Sequence, residues 1–472
     1  MTTEKRRIGF KVPHTFVILF LLAFLAAVAT WVLPPGQYNY ERVEVNGVMR
    51  NLVVPGSYHH IEATAANKAG VVSFFSSFHK GLIAAAEVVM LIFLVNGAFG
   101  LVIKTGSFNA LLGSLMKRFR HSDKILIAVL FIVFGLGSSF FGMLNEYNGF
   151  YPIFVGLAVA LGYDPIVGMA IVAMGAYTGF AAAIMNPFTI VVAQSIAGIP
   201  LYHHTGMRIA IFVIFNALAI AYLLRYASKI KADPSASVMD LSDLTIDLGD
   251  TDKDSLQNHP MTGKHKLILT VVLFTLIWII YGSIKEGWGS IQLTGVFILM
   301  GIAATLIDGW SPDKIATEFI NGSKTVVFGA MVTGIARATL VILQEGKIID
   351  TIINGMVTQL DGLPPILAAN GMLIIQNLFN FVIPSGSGQA ATTIPILAPI
   401  GDLLGVSREV VVLAFQFGDG FSNMLWPTCG IVVACGLSGV PYQKWLRFFA
   451  PLFGIMLIVQ FIIISFAVIA GI

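Results

Sequence analysis

Between Ile125 and Met207 the chain runs for 83 residues with only two Asp, Glu, Lys or Arg side chains, Glu146 and Asp164. A membrane-spanning helix needs about 20 mainly apolar residues. In lipid every backbone N–H and C=O must be satisfied internally, which leaves helices or closed barrels. The runs here are continuous rather than alternating, so helices are predicted. The rest of the 472 residues agrees: 56% are hydrophobic and 11% charged, against about 45–50% and about 25% in soluble domains. With a mean hydropathy of +0.84, the length supplies about ten to fourteen spans. The expected fold class is an all-α polytopic membrane protein.

The net charge of +3 carries no nucleic-acid footprint. Cys429 and Cys435 lie in an apolar stretch and read as packing residues, not as a disulfide framework or zinc site. Lys5, Arg6, Arg7 and Lys11 precede an apolar run from 12 to 33 that Pro34-Pro35 ends, so a first span starts on the cytoplasmic side. Residues 36–80 are mixed and turn-rich and read as an outer loop, and the next run covers 81–103. Phe108, Leu111, Leu112, Leu115 and Met116 recur at helical spacing before Lys117, Arg118, Arg120 and Lys124, the pattern of a helix lying on the inner surface. A run from 208 to 224 ends in Arg225, Lys229 and Lys231. An acidic linker follows at 232–266, with Asp233, Asp240, Asp243, Asp247, Asp250, Asp252 and Asp254. Further runs cover 267–283, 291–307, 323–344, 366–383, 394–405, 409–440 and 448–470.

The chain repeats itself. Ile190-Val-Val-Ala-Gln-Ser-Ile-Ala-Gly-Ile-Pro200 aligns with Ile431-Val-Val-Ala-Cys-Gly-Leu-Ser-Gly-Val-Pro441, identical at six of eleven positions. Upstream, Gly179-Phe180 matches Gly420-Phe421, Pro187 matches Pro427, and Pro152-Ile153 with Leu161-Gly162 matches Pro395-Ile396 with Leu404-Gly405. The first half ends inside at Lys231, and the helix at 267–283 returns the chain to the outside. The halves, 1–231 and 284–472, therefore have opposite orientation. Inverted-topology repeats are a recurrent construction of secondary transporters, which alternate access around a midplane site.

Each half contains two breaks where such a site would form. Gly142-Met-Leu-Asn-Glu-Tyr-Asn-Gly149 and Pro384-Ser-Gly-Ser-Gly-Gln-Ala-Ala-Thr-Thr393 interrupt apolar runs. They read as tips (142–149 and 384–393) of re-entrant helical hairpins, because irregular backbone at membrane depth must line a cavity or be buried. The repeat register sets Glu146 opposite Gln389. The second breaks fall at 185–187 and 426–428, where Pro187 and Pro427 remove helical hydrogen bonds, and broken helices present N–H groups to anions and carbonyls to cations. One half-site is therefore expected from Asn145, Glu146, Asn148 and Asn186, and the other from Ser385, Ser387, Gln389, Asn423 and Thr428.

Ionisable groups inside a membrane cost about 2.5–3.5 kcal/mol each on insertion scales. Glu146, among asparagines at a tip, suits a cationic substrate group, Na+ or a proton. Asp419, before the second break, is a second substrate- or ion-binding candidate. Arg337, a basic residue within the run 323–344, is a counter-charge for a substrate carboxylate or a partner for Glu146 or Asp419. Asp164 begins a helix and reads as an N-cap. His59-His60 and His203-His204 have no carboxylate at ligand spacing, so no metal site or other cofactor is assigned, beyond Na+ or H+ as coupling ion.

At Phe141-Gly-Met143, Met185-Asn-Pro-Phe188, Pro384-Ser-Gly-Ser-Gly-Gln-Ala390 and Ala414-Phe-Gln-Phe-Gly-Asp-Gly-Phe-Ser422 the sequence resembles the YfcC family of bacterial inner-membrane carriers, grouped with DcuC-like C4-dicarboxylate carriers and ArcD-like arginine/ornithine antiporters. The resemblance covers nearly the whole chain. It implies an ion-transporter-type fold with two hairpins and two broken helices in a homodimer of scaffold and transport domains. It also implies a carrier for amino acids, basic ones such as arginine and ornithine, or for related carboxylates. Members commonly carry a Glu pair after Gly-Met and one further residue, whereas this chain reads Leu144-Asn145-Glu146 and keeps one carboxylate.

The leading expectation is a secondary transporter in the inner membrane, with a small-molecule substrate and lipid as its partners. A C4-dicarboxylate carrier is the alternative. A membrane-embedded enzyme would need Asp164 and Asp419 to meet, and a channel would lack counterflow. No Gly-x-x-x-x-Gly-Lys-[Ser/Thr] loop is present to hold nucleotide phosphates.

Overall fold

The computed structural model describes residues 15–45, 48–118, 122–186, 188–244, 246, 260–286, 288, 290–360 and 362–472. Helix α1 (Thr15–Val32) leads into two small antiparallel sheets. One pairs β1 (Gly36–Gln37) with β4 (His59–His60), and the other pairs β2 (Tyr40–Val45) with β3 (Val48–Val53) in the register Tyr40↔Val53 to Val45↔Val48. The first half continues through α2 (Val71–Ala84), α3 (Ala86–Lys104), α4 (Ser107–Arg118), α5 (Asp123–Phe141), α6 (Tyr151–Ala160), α7 (Pro165–Ala181), α8 (Ile190–Ala197) and α9 (Thr205–Ala232). Helices α10 (Gly263–Lys285) and α11 (Ser290–Asp308) connect to the second half. There α12 (Pro312–Lys324), α13 (Val327–Glu345), α14 (Ile349–Val357), α15 (Pro365–Val382), α16 (Gly386–Leu403), α17 (Arg408–Ser422), α18 (Ile431–Ser438) and α19 (Tyr442–Ile469) follow in the same order.

The halves match element by element. The bent pair α2/α3 has 14 and 19 residues, and α12/α13 has 13 and 19. The broken segments α7/α8 and α17/α18 have 17 and 8 against 15 and 8, and the long helices α9 and α19 have 28 each. The inversion is visible where the bent pairs touch. A Cβ built at Gly81 of α2 would lie 2.5 Å from Gly334 O of α13, and one at Gly100 of α3 would lie 2.9 Å from Gly322 Cα of α12. Contact moving forward along one pair moves backward along the other, so the two run antiparallel. Small residues permit this, since helix association in lipid relies on close backbone approach.

Two expectations from the runs are corrected. The second span does not begin at 81: α2 starts at Val71, inside the stretch read as loop, and meets α3 at a 52° bend. Its Ser73, Ser76, Ser77, His79 and Lys80 hide a helix from a hydropathy count. Likewise α12 precedes the run at 323, because Pro-Asp-Lys-Ile-Ala-Thr-Glu-Phe-Ile-Asn-Gly-Ser-Lys is amphipathic and polar on average.

Among the described residues five helices are long and apolar enough to cross a membrane, six with the bent α2/α3 pair. Many of the apolar side chains they expose, such as Val133, Val213, Ile458 and Ile462, suit lipid. By contrast α7 is buried along its whole length and α17 from Glu409 to Ser422, and the hairpin arms surround them. At the sheet end, Asp350 of α14 accepts from the Tyr38 N–H (2.9 Å) and the Tyr40 hydroxyl (2.8 Å). At the opposite end, Asp164 caps α7 by accepting from Val167 N–H at 3.1 Å and also from the Tyr226 and Ser237 hydroxyls. The linker is tied again where Lys444 meets Asp243 at 2.9 Å. Asp247, Asp250, Asp252 and Asp254 of the linker, Pro187, and the basic Lys5, Arg6, Arg7, Lys11 and Arg120 lie outside the described residues.

Candidate functional site

The first hairpin tip forms because α5 stops at Gly142, which takes φ +69° in the left-handed region that glycine adopts without a Cβ penalty. A six-residue 3₁₀ turn, Asn145–Phe150, follows before α6. Within it the Glu146 carboxylate accepts the Leu144 N–H at 3.0 Å. Residues at the end of α5 hold the tip against the first helix break: Ser139 Oγ accepts from Ile184 N–H (2.9 Å), and Ser139 O accepts from Met185 N–H (3.1 Å).

The second hairpin does the same with different residues. At its break Trp426 Nε1 donates to Asn377 O (2.7 Å) and Thr428 Oγ1 to Phe381 O (2.8 Å), both on α15. Asn380 of the same arm donates to Asp419 O, Ser422 Oγ and Asn423 Oδ1 at 2.7, 2.7 and 3.1 Å. Each broken helix is thus pinned to the arm leading into its own hairpin tip.

The two tips and two breaks share one cavity of about 530 Å³, within the usual range for small-molecule sites. Asn145, Glu146, Asn148, Ser385, Asn423 and Thr428 line it, with Arg337 on the α13 wall. Tyr177, Phe180, Trp288 and Phe381 supply aromatic surface. Among the described residues neither Glu146 nor Arg337 forms an ion pair. A carboxylate and a guanidinium therefore face one cavity with their charges unmatched by the protein.

Four expected residues lie elsewhere. Asn186 is fully buried and accepts the Phe188 N–H at 2.9 Å, shaping the break from behind. The second tip is shorter than 384–393, because Ser385 caps a helix that already begins at Gly386. Ser387 and Gln389 are consequently on α16 and outside the cavity wall. Gln389 turns between the hairpin arms, donating to Gln376 O and Oε1 at 2.9 and 2.6 Å, so it does not stand opposite Glu146. Asp419 is 0% exposed and also outside the wall. The arms leading into the two tips are long helices, α5 with 19 residues and α15 with 18.

The runs of sequence gave no sign of Asn380, an ordinary asparagine in an apolar helix, or of Tyr177. Its hydroxyl is where a Cβ at Gly430 would strike, at 2.3 Å, so the second break packs directly on α7. Among the described residues no group of three His, Cys, Asp or Glu could hold a metal ion.

Residues 12–469 match the family described as C4-dicarboxylate anaerobic carrier, DcuC. Over its full length the chain is 33% identical to an Escherichia coli (strain K12) protein named "Putative basic amino acid antiporter YfcC", 99% of which is covered. It is 29% identical to an uncharacterized protein of Haemophilus influenzae, over 98% of each chain. Two solved transporters align at 15% identity: YdaH of Alcanivorax borkumensis (TM-score 0.45, 97% of this chain and 99% of that one) and MtrF of Neisseria gonorrhoeae (TM-score 0.43, 97% and 96%).

Proposed function

The chain belongs to the C4-dicarboxylate anaerobic carrier (DcuC) family, and from that premise we propose that it is a secondary transporter that carries amino acids across the inner membrane by alternating access. The observation that carries the reading is one shared cavity, walled by both tips and both breaks and lined by a carboxylate and a guanidinium that form no ion pair among the described residues. Arg337 binds the substrate α-carboxylate. Glu146, with Asn145 and Asn148, binds a cationic group, and Ser385, Asn423 and Thr428 complete the polar wall. Basic amino acids such as arginine and ornithine fit this pairing, in line with the printed name of the Escherichia coli relative.

The family's description favours a C4-dicarboxylate as the second reading. Arg337 would hold one carboxylate, but Glu146 would repel the other unless protonated. The N-terminus is placed in the cytoplasm by its basic residues, with the inverted halves 1–231 and 284–472 meeting at the site and the protein working as a homodimer. Labelled arginine and labelled succinate, offered in parallel to proteoliposomes loaded with ornithine, test the assignment. Saturable arginine exchange with no succinate entry supports it, and succinate entry alone transfers the site to the dicarboxylate reading.

A further inference from the structure

Asp419 is the buried acid that the cavity leaves unexplained. It lies on α17, is 0% exposed, and neither carboxylate oxygen has a hydrogen-bond partner among the described residues. It has no structural task in view: its helix is capped by Ser407 at the far end, and Asn380 secures its backbone carbonyl rather than its side chain. What separates it from the cavity is one residue. Gly386 lines the cavity just after the second tip, and a Cβ there would lie 3.1 Å from Asp419 Oδ2, 2.6 Å from Thr189 Cγ2 and 3.6 Å from Phe180 Cζ. The carboxyl thus sits directly behind the tip of one hairpin, beside the residue that ends the first helix break. Thr189, whose hydroxyl is also buried and unpartnered, offers an acceptor flanking the same glycine.

Among the described residues the groups around it supply no counter-charge. On α7 the titratable residue is Tyr177, on its own broken segment Cys429 and Cys435, and α8 and α15 carry none. Asp402 of α16 and Arg408 of α17 pair with each other at 2.8 Å. Arg208 of α9 pairs with Glu409, ten residues before Asp419. On α19, Tyr442 donates to Leu425 O, Lys444 pairs with Asp243, and Arg447 is exposed. A buried carboxylate without donor or counter-ion neutralises instead of staying charged.

We infer that Asp419 is an occluded proton site, separate from the substrate cavity and closed by the Ser385-Gly386 tip, which takes up a proton from water on one side of the membrane and returns it to the other when the tip moves. The carboxylate gains one proton and loses the same proton, so nothing else is consumed. The coupling step rests on the carrier reading above, and the location of the proton rests on the geometry alone.

Infrared spectroscopy of the purified protein at neutral pH reads the location without any substrate. The expected spectrum contains a protonated-carboxyl C=O stretch that persists in NaCl, is absent from Asp419→Asn and is shifted in Asp419→Glu. An identical spectrum for Asp419→Asn, or a band removed by NaCl, would overturn the site. For coupling, an arginine concentration jump applied to vesicles holding a pH-sensitive dye should move protons with wild type and Asp419→Glu, and at least tenfold less with Asp419→Asn. Equal proton movement in Asp419→Asn would overturn the coupling role. If wild type itself moves no arginine, the amino-acid reading fails while the infrared result still decides the site.

Discussion

Arg208 and Glu409 meet 2.5 Å apart with 1% and 5% of their side chains exposed, and His203 stands 3.8 Å from the same carboxylate. Removing one member of such a pair strands a buried charge, at a cost of about 3–5 kcal/mol, whereas replacing both with apolar residues is often neutral. Thermal unfolding in detergent should therefore show strong destabilisation by Arg208→Met and recovery in Arg208→Met with Glu409→Leu. The pair was invisible in the sequence, because its members are 201 positions apart and each looks like the polar edge of an apolar run. Glu146 was legible for the opposite reason, as a charge with no polar surroundings to excuse it. Gln389 misled because a buried amide can be satisfied by another amide, here Gln376. Charge-assisted hydrogen bonds contribute about 1.5–3 kcal/mol, so Glu146→Gln should raise the KM for arginine about tenfold to a hundredfold. Unchanged exchange kinetics in folded Glu146→Gln would remove this residue from the site.

Among the elements, α5 and α7 cross backbone to backbone: a Cβ at Gly179 would lie 2.1 Å from Gly135 O. Backbone cannot yield as a side-chain end does, and overpacking costs about 1–3 kcal/mol. Gly179→Ala should lower the unfolding temperature and slow exchange by shifting the hairpin arm, while Gly206→Ala, which meets nothing within 4 Å, should do neither. The linker's attachment is electrostatic. The hydrogen bond from Lys444 holds the Asp243 carboxyl below its ordinary range, so the contact is complete above the usual aspartate value of about 3.9 and is lost as pH falls through the lowered one. A spin label at Ser242→Cys should keep one mobility from pH 7 to about 5 and loosen below about 4. Helices such as α10, α11 and α15 fall within a few residues of their apolar runs, since lipid exposure writes itself into composition. α2, α12 and α14 did not, because polar residues interrupt their apolar positions.

Across the whole molecule, the repeat seen in eleven residues extends from the helices α2–α9 to α12–α19, down to the equal lengths of α9 and α19. That symmetry brings two tips and two breaks to one cavity, and it explains why Asn145, Glu146, Ser385, Asn423 and Thr428 could be grouped from sequence. What the repeat could not foretell is where the equivalence ends. The first tip is a 3₁₀ turn carrying an acid at the cavity, and the second is a short helix cap with its acid, Asp419, hidden behind it. Counterflow tests most directly whether the shared cavity is a carrier site. Vesicles preloaded with unlabelled arginine should accumulate labelled arginine transiently above its equilibrium level, and the overshoot should collapse in Glu146→Gln and Arg337→Gln. Uptake indifferent to the internal load, or an undiminished overshoot in both variants, would contradict it.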